Sequence, residues 1–543
     1  MIFTDYKNVD LTNKCLRTVP VVLYKHADDI KSLTLSRNPM LDIPGDFVQL
    51  CTSLQELRLS NMSIKKVPQS VQNFRTLMGL DLSSNRIGDI TDISLYRLPD
   101  LQELRVQNNR MEKLPWYFPR LRMLRLLNIS NNKFQDVPEE VCKMSSLEEL
   151  DVSFNMISQL PENVQSWHRL KALIIVGNRI TRIPDSFHHL TSLTVFDCRR
   201  NNITELGAVR LLPSLEELLV GHNSVQALDL SSGPLLKKIH ISHNDITQIS
   251  LAPGPVGRIV ALTYLNVASA KLSSLDDLAL GQLTNLEELI LDRNKFRAIP
   301  ESLGELSLLH SFSCSDNLLG ALPSSIGRLQ KLERLDVHNN NLTEFPAALW
   351  NCGSLERINM ASNLIANIRL PALLPTSNSS PAATHMLESA LSSTVTLVPT
   401  PPDRKPSSAG SVAPSRPMPP LVKSLQRLYL GENRLTDDAL PVLMILRELR
   451  VLNLSFNDIQ ELPRQFFKEI VLLEELYLSG NKLAGLPTED LPRLSKLEVL
   501  YLNGNRLLTL PQELGKVINL AVLDVGSNGL RYNISNWEFD WNW

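Results

Sequence analysis

Ten histidines and six cysteines are the residues of this chain best suited to hold a metal or move a proton. His222, His240 and His243 form the one candidate histidine cluster, because His222 and His243 each precede an asparagine in the similar sequences Gly-His-Asn and Ser-His-Asn. No carboxylate stands at a matching position, so a column of polar surface residues is favoured over a metal site. The pair His188-His189 is expected on an outer connection and not at a metal.

The other common signatures of catalysis are missing from the sequence. It has no glycine-rich phosphate loop, no Cys-x-x-Cys pair and no His-Glu-x-x-His motif. No nucleophile stands with an evident base. We therefore expect no enzyme activity and no cofactor in this chain.

Ser407 fits a modification motif. It follows Arg404-Lys405-Pro406, and basophilic kinases favour basic residues before a serine. A phosphate here would add about −1.5 to −2 units of charge and could recruit a partner. A plain solvated linker is the alternative interpretation.

The elements that must position any functional side chain follow from a periodic asparagine, which recurs at steps of 21 to 24 residues over most of the chain. Each closes a unit LxxLxLxxN, as in Leu147-Glu-Glu-Leu150-Asp-Val152-Ser-Phe-Asn155. This period and pattern are the signature of leucine-rich repeats. The fold is therefore predicted to be an α/β solenoid, a leucine-rich repeat horseshoe of about 21 repeats with a parallel β-sheet on its concave face.

Each asparagine should follow a strand where the chain turns, so that its amide can both donate to and accept from unpaired backbone groups. The predicted structural ladder includes Asn85, Asn109, Asn132, Asn155, Asn178, Asn294, Asn317, Asn340, Asn457, Asn481 and Asn505. Met62 and Ala270 replace asparagine in this column. Ala270 follows an irregular stretch containing Gly233-Pro234 and Pro253-Gly-Pro255, where either a kink in the arc or simple repeat decay is expected.

Strand alternation predicts which side chains face the concave side, where a partner would bind. Tyrosines occupy the middle column in three of four consecutive repeats, and amphipathic aromatics are favoured interface anchors. Two apolar residues and a mixed polar patch also stand out on this face, although ordinary variation of solvent-facing strand positions is the alternative for the tyrosines and apolar residues. The candidates are Tyr429, Tyr477 and Tyr501, the apolar Ile174 and Leu219, and the polar Arg334, Asp336 and Arg357 with Asn359 beside them.

Charge and hydropathy exclude several classes of partner. The net charge is −2, from 55 basic and 57 acidic residues, so no global field points to nucleic acid or an anionic membrane. No apolar run approaches the roughly 20 residues of a membrane-spanning helix. The cysteines are dispersed, which predicts an intracellular, reducing setting.

The repeat period breaks once. Asn363 and Asn433 are 70 residues apart, one repeat plus an insert of about 47 residues. We predict a first repeat array over residues 1–370, a disordered Pro/Ser-rich insert over 371–420, and a continuing array over 421–543 with a truncated end. The insert holds 11 Pro and 10 Ser and cannot bury enough apolar surface to order itself.

The last residues depart from the repeat pattern. The segment from Tyr532 to Trp543 contains Tyr-Asn-Ile-Ser-Asn and ends in Asp-Trp-Asn-Trp. It closely resembles a segment within the leucine-rich region of fungal adenylate cyclases. The Leu-Pro repeats and the Pro/Ser insert are similar to that region too, so the resemblance covers essentially the whole chain.

That resemblance implies a regulatory scaffold that couples Ras-type GTPases to synthesis of cyclic AMP from ATP, with a Ras-type GTPase or a co-chaperone as partner. In the family, a phosphatase-like domain and the cyclase domain follow this region. This sequence lacks them, so no catalytic residue carries over and Mg²⁺ is expected only in those domains. The implied location is cytoplasmic, peripheral to a membrane through Ras. The alternative is a stand-alone intracellular repeat scaffold in Ras, kinase or phosphatase signalling.

Overall fold

The fold is built from very short strands, one for each repeat. The computed structural model describes residues 6–39, 41–229, 236–250, 261–275, 280–370 and 418–530. Its strands are β1 (Asn8–Asp10), β2 (Ser32–Thr34), β3 (Glu56–Arg58), β4 (Gly79–Asp81), β5 (Glu103–Arg105), β6 (Leu126–Asn128), β7 (Glu149–Asp151), β8 (Ala172–Ile174), β9 (Val195–Asp197), β10 (Glu217–Leu219), β11 (Ala227–Asp229), β12 (Lys238–His240), β13 (Gln248–Ser250), β14 (Tyr264–Asn266), β15 (Glu288–Ile290), β16 (Ser311–Ser313), β17 (Arg334–Asp336), β18 (Arg357–Asn359), β19 (Arg427–Tyr429), β20 (Val451–Asn453), β21 (Glu475–Tyr477), β22 (Val499–Tyr501) and β23 (Val522–Asp524).

One parallel sheet of 21 strands runs through the described residues. Each strand pairs in register with the strand of the next repeat, so equivalent residues form columns, as where Glu149 lies opposite Ala172. The strand count confirms the predicted number of repeats and the solenoid fold. Side chains within a column are therefore about 4.8 Å apart from one strand to the next.

The core is a continuous stack of apolar side chains behind this sheet. The middle residue of each main-sheet strand points inward and is buried in nearly every repeat, as Leu57, Leu104 and Leu150 are. The first and third residues of each strand face the concave side. This alternation places the partner-facing columns at strand positions one and three.

Short helices return the chain on the side away from the sheet. Prolines stand directly before many of them, among them Pro138, Pro184 and Pro323, where the missing N–H costs no helical hydrogen bond. The α-helices are Val21–Tyr24, Gly45–Leu50, Glu139–Cys142 and Leu440–Leu443. The 3₁₀ helices are Gln69–Asn73, Leu95–Arg97, Phe118–Arg120, Gln165–Trp167, Asp185–His189, Gly207–Leu211, Leu280–Gln282, Glu301–Glu305, Ser324–Arg328, Ala347–Asn351, Pro420–Lys423, Asp437–Ala439, Leu491–Arg493 and Gln512–Lys516. Within the described ranges, none of these helices is long and apolar enough to span a membrane.

The ladder asparagines join each repeat to the one before it. The Asn155 amide donates to the carbonyls of Val152 and Ser153 in its own turn, at 3.0 and 3.1 Å, and to Ile129 of the preceding repeat at 3.2 Å. Its oxygen accepts from the backbone N–H of Phe134, also in the preceding repeat, at 3.1 Å. The same pattern recurs at the other predicted ladder positions, for example at Asn481, except that Asn505 donates to two carbonyls and not three. A single ladder side chain such as Asn155 therefore satisfies four backbone groups.

Two departures from regularity have a structural description. Strands β11 and β13 pair with each other outside the main sheet, so two neighbouring repeats add a second strand after the ladder asparagine. The glycines and prolines that suggested a kink, in 230–235 and 251–260, lie outside the described residues. At the other departure, Met62 is buried and its sulfur lies 3.2 Å from the backbone nitrogen of Asn38.

The sheet continues across the predicted insert. Strands β18 and β19 pair directly, with Ile358 opposite Leu428, although 70 residues separate these two positions in the chain. Residues 371–417 lie outside the described residues, as does the terminal segment 531–543. The repeats on either side of the insert are therefore neighbours in space.

Candidate protein-binding surface on the concave face

The three predicted tyrosines lie in one column of the concave face but do not form one continuous stack. Tyr477 and Tyr501 are opposite each other in β21 and β22, and their rings stack with centroids 5.3 Å apart and planes 15° apart. Tyr429 is separated from Tyr477 by Asn453 of β20. The tyrosine patch therefore consists of one stacked pair and one ring two strands away.

The Tyr477 hydroxyl is a fixed hydrogen-bond donor. It donates to a Glu475 carboxylate oxygen at 2.7 Å. Burial and this carboxylate raise the pKa of Tyr477 to about 12, so the phenol stays protonated at physiological pH. The stacked pair thus presents apolar ring faces with an ordered polar edge, a combination typical of interface anchors.

An exposed phenylalanine extends the tyrosine patch and was missed in the sequence. Phe456 is 57% exposed and lines the same shallow depression as Tyr501. Its ring lies against Gly480 of the next repeat, which has φ +65° and where a Cβ would collide with the ring. Phe154 packs in the same way on Gly177. The sequence signal for this packing is a Phe directly before one ladder asparagine and a Gly directly before the next.

The polar candidates have a further neighbour, Arg427, that the sequence analysis did not predict. Arg334 is opposite Arg357, and Arg357 is opposite Arg427 of β19. The Arg357 guanidinium also lies over the Tyr429 ring, 5.1 Å from its centroid. Arg427 escaped notice because the insert puts it 70 residues after Arg357 in the sequence. We call Arg334, Arg357 and Arg427 the arginine ladder.

Asp336 is turned away from the arginine ladder. One carboxylate oxygen lies 2.7 Å from Nδ1 of His338, and the other accepts from the Asn359 amide at 3.1 Å. The mixed patch therefore separates into an Asp–His–Asn group and the row of guanidiniums beside it.

The two apolar candidates are not neighbours. Asp197 of β9 stands between Ile174 and Leu219. Asp197 is only 5% exposed, and its carboxylate accepts from the Arg199 guanidinium at 2.9 and 2.6 Å. The structure therefore places a buried carboxylate, paired with a partly exposed arginine, between the two apolar side chains.

Two of the three clustered histidines stack on each other, and the third, His240, lies in a neighbouring column of the sheet. The rings of His222 and His243 stack with centroids 4.1 Å apart, and His240 Nε2 lies 2.7 Å from the Ser242 hydroxyl. Burial lowers the pKa of His222 and of His240. Among the described residues, no group of three or more potential ligands could hold a metal ion. His188 lies on the outer helix Asp185–His189, with Nδ1 2.7 Å from the Asp185 carbonyl oxygen.

The remaining sequence candidates divide into buried and undescribed residues. Cys198 and Cys314 are fully buried, and burial raises the pKa of both thiols. Ser407 and the segment from Tyr532 to Trp543 lie outside the described residues. The partner-binding candidates that the structure describes all lie on strands of the concave sheet.

Family models agree with this geometry. A leucine-rich repeat region model matches residues 115–239. Two further leucine-rich repeat models match 52–111, 423–483 and 447–507, and 331–352. Together the matches cover more than half of the chain. The chain belongs to the leucine-rich repeat family.

A curated relative of this repeat protein confirms the resemblance to fungal adenylate cyclase. An adenylate cyclase of Mycosarcoma maydis is 52% identical over 99% of this chain. The chain spans 22% of the length of that relative, so the match is to a region of a much longer protein.

Solved structures share the fold along most of the chain. A leucine-rich repeat protein of Leptospira interrogans is 29% identical, with a TM-score of 0.61 over 67% of this chain and 91% of its own. The Arabidopsis receptor kinase HAESA, solved with a peptide hormone and a co-receptor, is 21% identical, with a TM-score of 0.59 over 97% of this chain and 87% of its own. The second likeness shows the fold alone.

Proposed function

We propose that this chain is a protein-interaction scaffold that acts as the regulatory repeat region of a fungal adenylate cyclase. In this proposal its concave face binds a GTP-loaded Ras-type GTPase and couples it to cyclic AMP synthesis. A co-chaperone is a second partner for the same face. The observation that carries the proposal is the 52% identity to an adenylate cyclase over 99% of the chain.

The extent of that identity is what makes it informative. Repeat proteins that share only a fold keep the core leucines and ladder asparagines and vary elsewhere. A relative 21% identical over nearly the whole chain illustrates this background. Identity of 52% exceeds what the repeat consensus alone would give, so residues outside the consensus also match.

The concave sheet is suited to this role because its side chains are fixed by the backbone. Every strand is paired on both sides along most of the array, so a partner meets a rigid surface and little ordering entropy is lost on binding. The stacked Tyr477–Tyr501 pair supplies two aromatic anchors, and the exposed Phe456 lies beside it. Aromatic residues of this kind dominate the energetics of many interfaces.

The proposal is tested with a Ras-type GTPase loaded with a non-hydrolysable GTP analogue or with GDP. The full chain should retain the GTP form much more strongly in a pull-down. Replacing both Tyr477 and Tyr501 with Ala should weaken that binding by about 2 kcal/mol or more. Isothermal titration calorimetry measures the difference.

Tyr96 provides the matched control, because it is an exposed tyrosine within the outer helix Leu95–Arg97. Tyr96→Ala should leave GTPase binding unchanged. Equal retention of the GDP and GTP forms, or no retention of either, argues against the GTPase assignment. If a co-chaperone binds the natural chain but not the Tyr477→Ala variant, the concave face would be assigned to that second partner.

Catalysis in this proposal belongs to other parts of the family's longer proteins. All the matching family models describe leucine-rich repeats. We propose that the chain itself binds no cofactor, and that Mg²⁺ acts only in cyclase and phosphatase-like domains. The proposed location is the cytoplasm, with recruitment to a membrane through the Ras-type partner.

A further inference from the structure

The arginine ladder is the feature of the concave face that intramolecular contacts leave unexplained. Arg334, Arg357 and Arg427 occupy the first position of three consecutive strands, and all three are exposed. Among the described residues, none of them forms an ion pair with a carboxylate. Glu333 and Glu356, which directly precede Arg334 and Arg357, are also exposed, and within the same described ranges neither forms an ion pair.

The other arginines of the described strands behave differently. Arg58 contacts Glu56 of its own strand at 3.3 Å, and Arg105 contacts Glu103 at 2.6 Å. Both of these pairs lie on the same concave face. In these two strands the arginine is therefore neutralised by a glutamate two residues earlier. The ladder has Arg where those strands have Glu, so it lacks that partner.

The ladder works against the stability of the isolated chain. Like charges directly opposite each other on neighbouring strands are destabilising. Arg357 faces an arginine on both sides. Its stacking on Tyr429 orients the guanidinium but does not cancel its charge. Residues that lower stability without an internal partner are typical of binding sites.

The geometry of the ladder selects the ligand. Three guanidiniums on consecutive strands form a row about 10 Å long, because neighbouring strands are about 4.8 Å apart. An extended peptide repeats its same-face side chains about every 6.6 Å, so two or three carboxylates can each meet one planar guanidinium in a bidentate pair. A row of this kind fits an extended chain better than a single phosphate.

The position of the row excludes flat and broad partners. The arginines lie on the inner side of an arc, which a planar bilayer surface cannot reach. Duplex nucleic acid needs a wide basic field, and this chain has a net charge of −2. We propose that the arginine ladder, with Tyr429 beside it, is the docking site for an extended acidic segment of a protein partner, bound through its Asp and Glu side chains. This inference rests on the proposed function only in that a protein binds the concave face.

The experiment uses the full chain and a fluorescent peptide that alternates Glu and Ser, with its Gln counterpart as the uncharged control. Fluorescence anisotropy at low and moderate salt gives the affinity. Replacing Arg357 and Arg427 with Ala should weaken binding of the acidic peptide at least about tenfold, and the Gln peptide should not bind. Replacing Arg58 and Arg105 with Ala removes the same charge from paired positions and should change the affinity less than about twofold.

Two further variants separate binding from folding. Glu333→Gln with Glu356→Gln removes competing carboxylates beside the ladder and should tighten peptide binding. Arg427→Glu should abolish binding while its melting temperature stays the same or rises, because the new carboxylate would face Arg357. A large fall in melting temperature would show instead that the ladder stabilises the fold, and would overturn the inference.

Other outcomes also decide the matter. Equal binding by the full chain and the Arg357/Arg427 variant, or no binding of the acidic peptide, would overturn the proposal. A phosphoserine peptide that binds far more tightly than the Glu peptide would reassign the site to phosphate, and anionic vesicles that bind in its place would reassign it to lipid. GTPase binding together with unchanged peptide binding after loss of the ladder would refute this inference alone, whereas ladder-dependent peptide binding without GTPase binding would refute the GTPase assignment alone.

Discussion

Single asparagines carry much of the connection between neighbouring repeats. Asn155 is 8% exposed and satisfies three carbonyls and one N–H from two repeats. Asn155→Ala leaves these buried groups unpaired, which should lower the free energy of unfolding by about 1–3 kcal/mol. Urea denaturation followed by circular dichroism measures the change.

Asn202 offers the control for that substitution, because it is the exposed asparagine directly after ladder residue Asn201. Asn202→Ala should change stability by less than about 0.5 kcal/mol. Similar losses from Asn155→Ala and Asn202→Ala would show that the amide contacts of the ladder are not what stabilises the turn.

His222 and His240 should make the stability of the folded chain fall in mild acid. Burial lowers the pKa of His222, helped by His243 and Arg200, and burial also lowers the pKa of His240, below the ordinary value of 6.5. The unfolded chain therefore binds more protons than the folded chain below pH 6.5, so stability is full above that pH and is lost as pH falls toward the folded pKa values.

The measurement is the melting temperature between about pH 7.5 and 5.5, above the range where most carboxylates titrate. Over this pH range the melting temperature of the natural chain should fall further than that of a variant in which His222 and His240 are both Gln. Parallel curves of melting temperature against pH for the two proteins would mean that the pKa values of these histidines do not differ between the folded and unfolded states.

The direct pairing of the two strands that flank the insert predicts that the insert is not needed for folding. Because β18 and β19 pair directly, the sheet is continuous from the repeat before residues 371–417 to the repeat after them. Deleting those residues joins Leu370 to Met418 and restores the step from Asn363 to Asn433 to that of a regular repeat. We expect the variant to fold and to gain at most about 1–2 kcal/mol from the shorter loop closure.

Circular dichroism and the urea midpoint check this expectation against the full chain. An unfolded or aggregated deletion variant would contradict it, since it would show that the insert contributes contacts that the repeats need. Arg334, Arg357 and Arg427 should still be neighbours in the deletion variant, so its binding of the acidic peptide gives a second test of the sheet register.

The molecule as a whole is quasi-one-dimensional, because each repeat contacts only its neighbours. Local features on the concave face therefore act independently unless one partner spans them. The arginine ladder on β17–β19 and the stacked tyrosines on β21–β22 are separated by only one strand along the sheet. A single partner with an acidic segment and an apolar patch could cover both, and the two sets of variants would then weaken the same GTPase or co-chaperone complex.

The repeat, the number of repeats and the asparagine ladder could all be predicted from the amino-acid pattern. These follow from short-range rules, since the strand, the turn and the ladder asparagine lie within nine consecutive residues, as in Leu147 to Asn155. The sequence also predicted which residues face the concave side, and the resemblance of its last segment pointed to a fungal adenylate cyclase. Candidates such as Tyr477 and Arg357 were accessible to this reasoning because alternation fixes the face of a strand residue.

Which of those residues are neighbours became clear only from the fold. Register across strands placed Asp197 between Ile174 and Leu219, stacked Tyr477 on Tyr501, and brought Arg427 beside Arg357 across the insert. The second strands β11 and β13 likewise appeared only in the fold. Lateral contacts depend on the alignment of whole repeats. That alignment is set by the cooperative stacking of the core and not by the local pattern of any one repeat.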